Sequence, residues 1–297
     1  MATLHGMMAG TAAPRPVVHR TRGSGHGSIV RLMSPSDLGR YLKPFVFLDL
    51  FAGDMRQLSA AMPLHPHSGI ATVTVFTEGD VTYDDPQAGT GTLAFGGVEW
   101  MRAGGGVWHG KELSAGRSAL MQGFQLWIAL PPELENGPVD SQYIEADHMP
   151  MAGPAYVILG RHAGAQSPVR APDGITYLLV RLQAGENWTY APPSGHSVAW
   201  AAVAKGGLSG SAPIAQGEMA LFEPGEEAIT LQAGDAGATF VLGSARPHPH
   251  PLHLGSYSVH TTAAALAEGE GRIAEIAQRL RQEGPARTAS GSVPVFR

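Results

Sequence analysis

The chain has 297 residues, 43% hydrophobic and 15% charged, which supplies one or two packed cores and leaves too little charge for bulk disorder. Its net charge of −5, from 20 Lys+Arg against 25 Asp+Glu with no basic stripe, excludes the clustered cations of a direct nucleic-acid binder. With no cysteine, disulfides, zinc ribbons and thiol nucleophiles are excluded together, so any metal must rest on histidine and carboxylate.

Residues 1–15 are small and polar and read as a tail, without the basic flank and apolar run of a secretory signal. No window approaches the roughly 20 apolar residues of a membrane span, so the expectation is a soluble, cytoplasmic protein with no membrane contact. The 39 glycines and 23 prolines favour many short strands joined by tight turns. Strand patterns run from Val17 to Arg22, from Ser28 to Leu32, and through the apolar run Lys43-Pro-Phe-Val-Phe-Leu-Asp-Leu-Phe. The β-branched, alternating stretch 71–77 stops at the turn Glu78-Gly79-Asp80. Further runs at 81–84, 92–95, 98–102 and 124–130, with a Pro/Gly loop at 86–91, complete a first half.

Pro131-Pro132 to Pro138 breaks the pattern and reads as an interdomain connection, dividing the chain into halves at 1–138 and 139–297. The second half holds six short runs, at 155–159, 175–182, 197–204, 218–222, 228–231 and 238–243, whose regular spacing suggests a β-barrel or sandwich. One helix is predicted late: Thr262 caps it, Ile273, Ile276 and Leu280 recur at helical spacing, and Gly269 and Gly271 divide it into two pieces. Residues 284–297 read as a second tail.

The chemistry concentrates in the first half. His65-Pro66-His67 precedes the strand at 71–77, and residues two apart in an extended segment share a face. The proline stiffens the pair and lowers the entropy lost on chelation. Alone, an H-x-H is more often a polar turn than a ligand pair. A second segment, Val98-Glu-Trp-Met-Arg-Ala-Gly-Gly-Gly-Val-Trp-His109, is a strand, a glycine turn and a strand carrying one histidine. Hairpin pairing can bring His109 against the first pair, giving three neutral imidazoles with open positions for ligand or oxygen.

These segments, with Pro44-Phe-Val-Phe-Leu-Asp-Leu-Phe and Gly123-Phe-Gln-Leu-Trp-Ile-Ala-Leu-Pro131, resemble the pirin family, over most of residues 17–280. The resemblance implies an all-β fold of two cupin (jelly-roll type) barrels in tandem with a short C-terminal helix. It implies an N-terminal iron site of three His and one Glu, quercetin 2,3-dioxygenase activity on a flavonol-type aromatic in some members, and a regulatory protein partner in others. His65, His67 and His109 match the three imidazole ligands. The cofactor expected is one divalent metal, iron first, with manganese, copper, nickel or zinc as alternatives.

The carboxylate departs from the family's H-x-E, because Lys111 stands two residues after His109 and Glu112 three. On a regular strand the third residue faces away, so Glu112 ligates only if a bulge near Gly110 adds the missing step. Otherwise the site keeps three histidines, or Lys111 faces it and repels a cation, or the pocket holds no metal. A metal- or redox-responsive regulatory protein, or a bicupin with a degenerate site, is therefore the alternative to a dioxygenase. Ser68 and Ala71 replace a family Arg and Glu, which predicts a less polar, roomier pocket. Trp108 is expected to wall that pocket. The His248, His250 and His253 cluster reads as a surface loop, and Gly89-Thr-Gly91 precedes strand rather than helix, which rejects a dinucleotide site.

Overall fold

Alternation of apolar and polar side chains in the first half builds a seven-stranded antiparallel sheet, in the order 140–144, 98–102, 70–78, 120–129, 45–54, 29–33, 24–26, beside a three-stranded sheet of 113–115, 81–85 and 89–93. The computed structural model describes residues 15–54, 58, 64–85, 88–110 and 112–282. Both tails expected from the sequence, at 1–14 and beyond 282, lie outside those residues, as do 86–87 and Lys111. The second half forms a nine-stranded sheet around Val198–Ser209, Ile229–Ala245 and Ile175–Leu182.

The two sheets exchange segments across the connection at 131–138. Val17–Thr21 pairs with Met219–Phe222 of the second sheet, and Asp140–Ile144 pairs with Val98–Arg102 of the first. Period-two side-chain placement explains the layering. Val73, Val75, Trp100, Phe124 and Leu126 point from the first sheet into one shared core, against Tyr177, Leu179, Trp200 and Val241 from the second. The opposite face of the first sheet looks into its own barrel. Trp188, Tyr190, Phe222 and Phe240 fill the second barrel; the first keeps a cavity of about 450 Å³.

Three expectations need correction. The runs at 228–231 and 238–243 are one strand, Ile229–Ala245. The glycines between them do not turn the chain, because Gly206 approaches Gly237 backbone to backbone and the ladder continues past both. The loop expected at 86–91 gives way to strand at Gly89. The late helix runs unbroken from Ala263 to Gln282, with Thr262 Oγ1 accepting from the Ala265 N–H at 3.1 Å. Gly269 is tolerated there for packing: a Cβ would stand 2.6 Å from both His260 Nε2 and Ser68 Oγ. No helix among the described residues is long and apolar enough to cross a membrane.

Candidate metal centre

The strand His65–His67 pairs antiparallel with Val107–His109, setting His109 opposite His65 and Val107 opposite His67. All three imidazoles consequently share one face, and their ligand nitrogens lie within 4.8 Å of one another, the only such group of three donors among the described residues. Ring centroids are 4.5 Å apart for His65 and His109, 4.9 Å for His65 and His67, and 5.2 Å for His67 and His109. Pro66 and Trp108 face the other way. Trp108 thus does not wall the pocket; its indole N–H donates to Ile273 O at 3.0 Å and ties the C-terminal helix to this barrel.

His67 Nδ1 lies 3.0 Å from Tyr257 O, a carbonyl that can only accept, which leaves the Nε2 lone pair free for a cation. His109 Nε2 is buried with no hydrogen-bond partner. An orphaned ring nitrogen of this kind, beside two more imidazoles, fits a cation that would satisfy it. Burial, reinforced by His65, holds His67 down to about 3, and burial with the other two rings holds His109 well below the ordinary imidazole value. Both are therefore neutral, the ligand form, at pH 7.

Those depressed values make stability pH-dependent with a definite sign. Between pH 6.5 and about 3 the unfolded chain binds a proton at His67 that the folded chain does not, and His109 is shifted in the same direction. As pH falls through that window the metal-free protein is expected to lose about 1.4 kcal/mol per pH unit at His67, with His109 acting in the same direction and the raised carboxyl of Glu99, which holds its proton more tightly in the folded chain, offsetting part of the loss. Urea midpoints at pH 8, 7, 6 and 5 check this, and the slope should be shallower in His67→Gln.

Glu112 lines the same cavity as the three histidines. The regular strand ends at His109; Gly110 has φ +126°, where a side chain is strained, and its N–H donates to Glu112 Oε2 at 2.8 Å. The break turns a residue that would have faced outward back toward the cavity. Ser68 and Ala71, in contrast, do not touch it. Ser68 follows His67 on the opposite face, where its hydroxyl donates to Ser258 Oγ and lies 2.9 Å from His260 Nε2. Ala71 is fully buried in the core between the sheets. The predicted effect of these two residues on pocket polarity is accordingly wrong.

The cavity floor is built in rows by strand register. Arg31, Asp49, Gln125, Thr74, Glu99 and Tyr143 stand opposite one another across six neighbouring strands. One flank of this polar row is Phe47 stacked on Trp127 at 4.1 Å, with Trp127 edge-on to His67 at 4.8 Å. The other flank is Phe51 packed against Phe76 over Gly123, where any Cβ would strike the Phe51 ring. Asp49 accepts two N–H bonds from Arg31, at 2.5 and 3.0 Å. Thr74 Oγ1 lies 2.6 Å from Glu99 Oε2 and 3.0 Å from Gln125 Oε1. Glu99 is fully enclosed, and burial, together with Glu112 and Asp85, raises its carboxyl to about 7. Glu99 and Tyr257 were missed from the sequence, and Trp127, which reads there as barrel core, lines the cavity. Glu99 and Trp127 were findable as the odd members of strands whose even members are core.

His248, expected in a surface loop, is instead buried, with Nε2 3.3 Å from Leu130 O.

Two cupin barrels in tandem, with an imidazole cluster inside the first, define a bicupin. The pirin family profile matches residues 28–128. A pirin-like protein of Solanum lycopersicum is 30% identical over 262 residues, covering 85% of this chain and 88% of its own. A Pseudomonas aeruginosa protein named "Putative quercetin 2,3-dioxygenase" is 32% identical over 222 residues, covering 70% and 77%. Among solved structures, quercetin 2,3-dioxygenase from Acinetobacter baumannii superposes with a TM-score of 0.73 at 24% identity, over 87% of this chain and 96% of that one. The Escherichia coli pirin YhhW in complex with nickel(II) gives 0.56 at 18%, over 79% and 98%. The chain belongs to the pirin family.

Proposed function

We propose that His65, His67 and His109, with Glu112 as the carboxylate, hold one divalent metal, iron first, and that the adjoining cavity binds a flavonol-type aromatic for dioxygenation. The observation that carries this reading is the position of the orphaned imidazole nitrogen at the wall of an open, aromatic-flanked cavity of about 450 Å³. That volume suits a small aromatic, and the stacked Phe47 and Trp127 offer it a flat apolar surface. When bound, the metal supplies Lewis acidity and an electron path between substrate and dioxygen. The protein's own part is to orient three neutral imidazoles, His67 through Tyr257 O, and to keep water from the aromatic flanks.

Aerobic incubation of iron-loaded protein with quercetin tests it. The expected result is consumption of one dioxygen per quercetin at a rate far above that of free iron, abolished by removing the metal. A rate no greater than free iron would overturn the dioxygenase assignment.

A further inference from the structure

Among the described residues three carboxylates line the cavity, and they differ in what already satisfies them. Asp49 is held by the two-pronged guanidinium of Arg31, and Glu112 accepts from a backbone N–H. Glu99 meets only hydroxyls, Thr74 at 2.6 Å and Tyr143 at 3.4 Å. Among the described residues no Lys or Arg acts on it; the charges that do are those of Glu112 and Asp85, both repulsive.

We infer that Glu99 is the hydroxyl-binding group of this cavity: it accepts a hydrogen bond from a phenolic or enolic hydroxyl and so selects hydroxylated aromatics and sets which edge of the ring faces the imidazoles. The inference rests on the reading of the cavity as an aromatic site. A carboxylate offers about four acceptor positions, and the two hydroxyl contacts leave acceptor capacity facing the cavity. Burying that capacity unpaired is costly. Glutamine would keep the Thr74 bond without the cost of a buried charge, so a purely structural role gives no reason for glutamate. A carboxyl near 7 is also about half ionised at neutral pH, and the ionised form accepts most strongly. The surrounding charge argues the ligand class as well. Among the described residues the cavity's one side-chain cation, Arg31, is committed to Asp49, so away from the imidazoles an anionic carboxylate or phosphate finds no partner and meets Glu99. A neutral hydroxyl donor is the complement.

The test measures binding of quercetin and of unsubstituted flavone to the full, nickel-loaded chain by quenching of tryptophan fluorescence, in wild type, Glu99→Gln and Glu99→Asp. Contacts of quercetin hydroxyls with the metal are common to all three and cancel in the comparison. Glu99→Gln is expected to weaken quercetin about tenfold and leave flavone unchanged, with Glu99→Asp intermediate. A structural role would weaken both ligands alike, and that result, or no change in either, overturns the inference. So does a wild type that binds flavone as tightly as quercetin, which needs no variant to fold. Wild-type protein that binds neither ligand overturns the aromatic-site reading itself, an outcome separate from the loss of discrimination.

Discussion

His109→Ala should reduce bound metal from about one ion per chain to a small fraction, with affinity falling at least a hundredfold, while the metal-free protein melts almost where it did. Both halves follow from the environment of one atom. His109 Nε2 is buried without a partner, so the metal-free fold gains nothing from it and loses no hydrogen bond when it goes. Its ring borders an existing cavity, so truncation enlarges open space rather than excavating packed core, and the expected stability change is within about 1 kcal/mol. A metal, by contrast, loses one of three clustered nitrogens. Even residues that only orient metal ligands are worth 10- to 100-fold in affinity, and a ligand is worth more. Elemental analysis after dialysis, with calorimetric titration of metal into both proteins, reads the first half; thermal melts of the metal-free forms read the second. Retention of stoichiometric metal would remove His109 from the site. Glu112→Gln is the instructive contrast, since it keeps an acceptor for the Gly110 N–H and removes only the charge.

The sequence announced the imidazoles because metal chemistry and strand periodicity make the same demand: two histidines two apart, and a third on a strand that a glycine turn folds back. Register did the rest, pairing His109 with His65. Glu112 was harder. Strand alternation alone pointed it away, whereas the regular strand ends at His109, Gly110 has a positive φ, and Glu112 stands on the cavity wall. The polar row from Arg31 to Tyr143 was not legible as a row, because its members are scattered over six strands and become neighbours only through the registers of five pairings. Period two marks Thr74, Glu99 and Gln125 as facing away from the shared core but cannot say that they face one another. Ser68 failed for the same reason in reverse: one step from His67, it points into the buried contact with Ser258 and His260. Tyr257 is separated from His67 by 190 residues, and a backbone carbonyl leaves no mark in the sequence.

The strands that carry the polar row have a second face, and a large effect is expected there. Trp200 is fully buried, edge-on to Phe45 at 5.5 Å and beside Tyr177 at 5.8 Å, and its ring lies over Gly243 where any Cβ would collide with it. It belongs to the core that the two sheets share, together with Trp100, Phe124 and Leu126 from the strands that bear Glu99, Gln125 and Trp127. Trp200→Ala should therefore cost about 3–5 kcal/mol, the usual range for excavating a buried tryptophan, read as a fall in urea midpoint at unchanged slope. Phe222→Ala removes a comparable ring from the core belonging to the second sheet alone and is expected to cost a similar amount. The two variants part company at the metal. A cavity behind the first sheet lets its floor shift, so Trp200→Ala should weaken metal and quercetin binding several-fold at temperatures where it is fully folded, whereas Phe222→Ala should leave both unchanged. Equal behaviour of the pair would mean that the second barrel stabilises the chain without shaping the site. The predicted split makes the filled barrel the rigid support against which the open one holds its imidazoles.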